Sequence, residues 1–95
     1  MNEQVILTLY VAGLNPRSER AINNLRQLEG DYLAGRAVVS IVDVLQRPER
    51  AESARIIATP TLVREQPRPE RRIIGDLSDK ETVLKALNIG EIGSL

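Results

Sequence analysis

The stretch Ala58-Thr59-Pro60-Thr61-Leu62-Val63 lies near the middle of the 95-residue chain and decides how the rest is interpreted. Its first three residues predict a turn, and the next three predict the start of a short strand. An X-Pro bond is cis in only a minority of cases. A cis bond between Thr59 and Pro60 is therefore a hypothesis that depends on the elements around it.

On the N-terminal side of this stretch, the pattern begins with a strand and a helix. Val5–Val11 is β-branched and almost continuously apolar, which is typical of a strand covered on both faces. From Ser18 to Leu33, apolar residues recur every three or four positions, which predicts an amphipathic helix with Asn15 as its cap. We expect Gly30 to loosen this helix and Gly35 to end it.

A second strand and a shorter helix follow. Ala37–Leu45 returns to β-branched residues, and Pro48 is suited to the first turn of a helix. That helix is expected to run to about Ile57, with Ala51, Ala54 and Ile57 facing inward.

On the C-terminal side, the pattern predicts a hairpin and a third helix. Pro67-Arg68-Pro69 separates the strand after Pro60 from a second short strand at Arg71–Gly75. Ser78-Asp79-Lys80-Glu81 has the form of a capping box, with Ser78 as the cap.

The predicted order is therefore β-α-β-α-β-β-α, which describes an α/β fold of the thioredoxin-like sandwich class. Residues 1–95 are expected to form one domain, and residues 90–95 to fray. In that fold Pro60 occupies the position where a cis-proline is usual. The redox pair of the fold would lie at Ala12–Pro16, where this chain has no cysteine.

Composition argues against several classes of function. The chain has neither cysteine nor histidine, so thiolate chemistry, zinc–thiolate sites and the commonest general base are excluded. Its 13 basic and 13 acidic residues cancel, and only two residues are aromatic, which argues against nucleic acid and membrane partners. The apolar run Val5–Ala12 is too short to span a membrane. We expect a cytoplasmic protein that is not an enzyme and needs no cofactor.

Two clusters of charged residues are candidate sites. The basic cluster at Arg64, Arg68, Arg71 and Arg72 is either a docking patch for an acidic surface or the solvated edge of a hairpin. Three carboxylates could be taken for a metal site, but their positions favour turns and helix caps, and we expect no bound metal. They are Asp43, Asp76 and Asp79.

Four blocks of the sequence resemble the KaiB family of circadian clock proteins. They are Leu9–Gly13, Ile41–Leu45, Ala58–Leu62 and Arg71–Ser78. The spacing of these blocks is also similar to that of the family, from about Val5 to Ile89.

The resemblance implies a non-enzymatic regulator. Members bind the ATPase ring of the hexameric protein KaiC, affect its phosphorylation, help to sequester KaiA, and displace the sensor domain of the kinase SasA. They are also metamorphic: a tetramer-forming ground state has a different arrangement of the C-terminal half, and the thioredoxin-like monomer binds KaiC. Monomer, dimer and tetramer all remain open for this chain.

The resemblance also assigns positions, residue by residue. Those that face KaiC are Arg20, Ser40, Arg55, Arg71 and Arg72, with Ser40 standing where cyanobacterial members often have lysine. The turn and fold-switch positions are Pro60, Pro67, Pro69, Gly75, Asp76 and Ala86. Many members have glycine at the position of Ala86. Because alanine favours a helix over glycine by roughly 1 kcal/mol, we expect the thioredoxin-like arrangement to be well populated.

Two alternatives stay open. The chain could be a detached sensor domain of a SasA-type kinase, although its end at Leu95 shows no linker or coiled coil. A thioredoxin-like oxidoreductase is disfavoured by the missing cysteines.

Overall fold

A computed structural model describes residues 4–88 of the chain. The elements follow the predicted order: β1 (Val5–Val11), α1 (Pro16–Tyr32), β2 (Ala37–Asp43), α2 (Pro48–Ala54), β3 (Thr61–Gln66), β4 (Arg71–Ile74) and α3 (Lys80–Leu87). The tail at 90–95, which the sequence predicts to fray, lies outside the described residues. Within residues 4–88, no helix is both long enough and apolar enough to cross a membrane.

The four strands form one mixed sheet in the order β2-β1-β3-β4. β1 and β2 are parallel, as expected for strands joined by a helix, with Leu7 opposite Val39. β3 is antiparallel to β1, and β4 is antiparallel to β3, with Thr61 opposite Ile74. β2 and β4 are therefore the two edge strands.

Each face of the sheet has its own core, because successive side chains of a strand point to opposite faces. The first face, which we call the α1–α3 face, packs against α1 and α3. Its buried residues are Val5, Leu7, Leu9, Val11, Ala21, Leu25, Leu28, Leu33, Leu62, Leu77, Val83 and Leu87. The other face, the α2 face, has a smaller core of Tyr10, Val42 and Val63, with Val44, Ala54 and Ile56 packed against it.

Both longer helices begin at side-chain caps. The Asn15 side chain accepts a hydrogen bond from the Ser18 amide at 2.9 Å, which confirms the predicted cap of α1. The capping box was assigned one residue too early. The cap of α3 is Asp79, because its side chain accepts a hydrogen bond from the Thr82 amide. Ser78 is therefore not the cap, and its own amide donates to the side chain of Asp76.

Two predictions about helix length are wrong. α1 continues through Gly30 without interruption to Tyr32, although Gly35 does adopt a positive φ in the turn that follows. α2 ends at Ala54, because Arg55 takes the left-handed conformation (φ 56°) and turns the chain away. Ile57 consequently does not face inward: it is 89% exposed.

The Thr59–Pro60 bond is cis, as hypothesised from the sequence. The Gln66–Pro67 and Arg68–Pro69 bonds in the β3–β4 connection are cis as well. The Pro60 carbonyl accepts a hydrogen bond from the Gly75 amide at 2.9 Å. The cis-proline turn and the end of β4 are thus joined directly.

Candidate interaction surface

Arg20 and Asp76 meet at the end of the sheet that carries Pro60 and Gly75. Arg20 lies in the second turn of α1, and its Nε is 3.3 Å from Oδ2 of Asp76. The neighbouring Asn24 donates its side-chain amide to the Asp76 carbonyl at 2.8 Å. α1 therefore holds the loop between β4 and α3 through two adjacent contacts.

The three candidate carboxylates serve as turn and cap residues, as the sequence predicts. Asp43 accepts hydrogen bonds from the Gly13 and Leu45 amides. Hydrogen bonding to Ser78, and then to Arg20, lowers the pKa of Asp76 below its ordinary value. Hydrogen bonding to Thr82 lowers the pKa of Asp79 in the same way. Among residues 4–88, no three carboxylates cluster as a metal site would require.

Arg72 joins β4 to the end of α2. Its Nη1 donates to the Arg55 carbonyl at 3.2 Å, and its Nη2 donates to the Ala54 carbonyl at 3.1 Å and to Glu70 at 2.6 Å. These carbonyls are among those that a helix leaves unsatisfied at its C-terminal end, where a cation is also favoured. Arg72 thus fixes the position of Arg55, whose own side chain is exposed.

The other two predicted positions lie elsewhere on the sheet. Arg71 is next to Arg72 on β4 and therefore points to the opposite, α1–α3 face. Ser40 is exposed on β2, where it lines a groove with Leu14 and Arg47. Three strand spacings, about 14 Å, separate β2 from β4. The structure therefore brings Arg55 and Arg72 together, but it does not gather all five positions into one cluster.

Arg64 corrects the expectation of a four-arginine surface cluster. It is only 2% exposed, so it belongs neither to a docking patch nor to a solvated edge. Its Nη1 donates to the Leu87 carbonyl at 2.6 Å and its Nη2 to the Pro69 carbonyl at 2.7 Å. The sequence indicates this placement, because every second residue of a strand lies on the same face. Arg64 therefore shares its face of β3 with the buried Leu62, and Val63 lies on the opposite face.

Two solved structures with the same architecture show the fold class. The N-terminal domain of SasA from Synechococcus elongatus matches with a TM-score of 0.72 and 22% identity, over 93% of this chain and 87% of that domain. Chloroplastic thioredoxin z matches with a TM-score of 0.75 and 21% identity, over 98% of this chain and 81% of that protein. Both confirm the predicted thioredoxin-like fold.

Sequence relatives are much closer than these structures. A protein of Prochlorococcus marinus (strain MIT 9312) named circadian clock oscillator protein KaiB is 50% identical over 84 residues, which cover 88% of this chain and 80% of that protein. The protein of the same name from Synechococcus sp. (strain RCC307) is 49% identical over 84 residues, or 76% of its length. The KaiB domain model matches residues 8–89. The chain belongs to the KaiB family.

Proposed function

We propose that this protein is a non-enzymatic regulator that binds the ring of a KaiC-type hexameric ATPase and modulates its phosphorylation state. The observation that carries the proposal is the match of residues 8–89 to the KaiB domain. The relatives named as clock oscillator proteins support it, because their identity of about 50% extends over nearly all of the described chain.

Arg55 is the position best suited to test the contact with the ATPase. Its side chain is exposed, and none of the ion pairs within residues 4–88 involves it. Arg20 and Arg72 are less suitable, because each already pairs with a carboxylate of the same chain. Reversing the charge of Arg55 therefore changes the surface without removing a side-chain bond of the fold.

The experiment is a titration of the host's KaiC-type ATPase, with ATP present, followed by size exclusion. The unmodified chain should elute with the ring, and Arg55→Glu should weaken binding about tenfold or more, since reversal of a contact charge costs more than its loss. Arg26→Glu, an equal charge change at an exposed position of α1, is the control. Equal binding by Arg55→Glu and the unmodified chain would remove Arg55 from the interface, and no binding by either would refute the proposal.

The proposal includes the remaining expectations from the sequence. The protein would act in the cytoplasm as one domain without a cofactor, with KaiA or a SasA-type kinase involved only through the ATPase. It would have access to a second arrangement of its C-terminal half and to dimers or tetramers. The likeness to the SasA domain shows only a shared fold, so we do not propose a kinase sensor.

A further inference from the structure

β2 is the more open of the two edge strands. It runs for seven residues, Ala37–Asp43, and within residues 4–88 no strand pairs with its outer side. Its single charged residue is Asp43, at the very end. β4 differs, because it has only four residues, includes Arg71 and Arg72, and follows a connection with two prolines. Charges, prolines and short length are the features that prevent pairing at an edge strand, and β2 lacks them before its last residue.

The peptide groups of every second residue of β2 point away from the rest of the sheet. The Arg36 carbonyl accepts a hydrogen bond from the first amide of β1, and the Val44 amide donates to the last carbonyl of β1, each at 2.8 Å. Peptide groups alternate between the two sides of a strand, so the even-numbered residues of β2 bond to β1. The odd-numbered residues, Val39 and Ile41 among them, therefore present their N–H and C=O groups to the outer edge.

Aliphatic side chains are exposed along the same edge. Val38, on the α2 face, is 45% exposed, and Ile41, on the α1–α3 face, is 37% exposed. Ser40 lies between them and is exposed as well. A groove of about 450 Å³ runs beside Ile41 and is lined in part by Leu14 and by Ile22 of α1. The edge thus offers apolar surface on both faces of the sheet in addition to its peptide groups.

The sequence of β2 is complementary to itself when two copies run antiparallel about Ser40. In this register Val39 lies opposite Ile41 of the second copy, and Val38 lies opposite Val42. Val39 and Ile41 can exchange backbone hydrogen bonds, because both direct their peptide groups outward. A shift by one residue would set outward groups against inward ones, and a shift by two would place a valine opposite Ser40. One register is therefore favoured.

Twofold symmetry is compatible with the rest of the molecule. An axis through Ser40, perpendicular to the sheet, keeps the α1–α3 faces of both copies on the same side. Val39 of one copy then lies next to the groove beside Ile41 of the other. No charged side chains of β2 are brought directly opposite each other. β4, which carries Arg72, lies at the two outer ends, so the contact leaves that side of each copy uncovered.

We infer that the outer edge of β2 is a self-association site, at which two copies of the chain join their sheets into one sheet of eight strands. The order β4-β3-β1-β2 continues in reverse through the second copy. A single pair of strands makes a small interface, which is typical of weak association. The chain should therefore be monomeric at about 1 μM and form dimers at about 500 μM.

Ser40→Lys and Ser40→Glu test the axis of this pairing by sedimentation equilibrium. Each substitution places two like charges directly opposite each other, with Cβ atoms about 5 Å apart, and should weaken the dimer about tenfold or more. An equimolar mixture of the two variants should form the dimer again, because a lysine then faces a glutamate. Ser53→Lys, the same change at an exposed serine of α2, is the control and should dimerise like the unmodified chain.

Amide hydrogen exchange, followed by NMR at about 500 μM, identifies the strand that pairs. The amides of Val39 and Ile41 should be protected in the unmodified chain and exchange faster in Ser40→Lys. The amides of Val38 and Val42 should stay protected in both proteins, because they bond to β1. This difference between neighbouring residues is specific to pairing along the outer edge of β2.

Several results would overturn the inference. They are a monomer at about 500 μM, a dimer that persists in both Ser40 variants, and a mixture of the two variants that stays monomeric. A dimer in which the Val39 and Ile41 amides exchange as they do in Ser40→Lys would also overturn it. All of these measurements use the chain alone, so their failure leaves the proposed binding to the ATPase untouched, and loss of that binding leaves the pairing untouched.

Discussion

At the scale of single residues, Arg64 carries the largest structural consequence. Its guanidinium is buried and donates to two carbonyls from different elements, one at the end of α3 and one in the β3–β4 connection. The Leu87 carbonyl is one of those that a helix leaves without an internal partner. A buried cation near that end also interacts favourably with the helix dipole. Arg64 therefore joins β3, the end of α3 and the β3–β4 connection.

Arg64→Met should lower the free energy of unfolding by about 1–3 kcal/mol, because the Leu87 and Pro69 carbonyls lose a buried donor. Methionine fills most of the volume, so the loss would report on hydrogen bonding more than on a cavity. Urea denaturation measures the change. Arg68→Met, at an exposed position, is the control and should stay within about 0.5 kcal/mol. Equal free energies of unfolding for the two variants would show that the buried hydrogen bonds of Arg64 do not stabilise the fold.

The candidate surface could be predicted from the sequence only in part. Grouping arginines by proximity along β3 and β4 joined Arg64 to Arg72, although these two side chains point to opposite faces of the sheet. The alternation of the strand would have separated them. Ile57 was wrongly expected to face inward, because its exposure depends on the backbone conformation of Arg55, and arginine gives no signal for a left-handed residue.

At the scale of elements, the end of α2 shows where local strain lies. Arg55 has a φ of 56°, a conformation that costs a residue with a Cβ atom roughly 1–2 kcal/mol relative to glycine. Helices usually place glycine at this position. The sequence could therefore not predict the end of α2, whereas α1 was predicted well because Asn15 is a strong cap. Gly30 did not interrupt α1, since one glycine costs only about 1 kcal/mol against the packing of residues such as Leu25 and Leu28.

Arg55→Gly should raise the free energy of unfolding by about 1 kcal/mol while it weakens binding to the ATPase. The gain follows from relief of the left-handed backbone, and the loss follows from removal of the exposed cation. Urea denaturation and the ATPase titration measure the two effects on the same preparation. Arg50→Gly, inside α2, is the control for the backbone and should destabilise by about 1 kcal/mol. A destabilised Arg55→Gly would contradict the assigned conformation.

At the scale of the whole molecule, the order of elements and the thioredoxin-like class were predictable, whereas the contacts that hold the C-terminal half in place were not. Periodicity and the Pro and Gly positions give β-α-β-α-β-β-α, and right-handed β-α-β connections leave few ways to arrange it. How β3, β4 and α3 pack depends on contacts between distant residues, such as Arg64 with Leu87 and Lys80 with Asp31. No local pattern encodes these contacts.

Solution NMR should show α-helical Cα and amide shifts from Lys80 to Leu87 in the unmodified chain, because α3 is capped at Asp79 and buries Val83 and Leu87. Ala86→Gly should reduce the population of this arrangement, since two packings that differ by a few kcal/mol respond to a change of roughly 1 kcal/mol. Ala51→Gly makes the same substitution in α2 and should lower stability without altering the shifts of α3. Strand-like shifts from Thr82 to Leu87 in the unmodified chain would contradict the prediction, because the helical arrangement would then be the minor one.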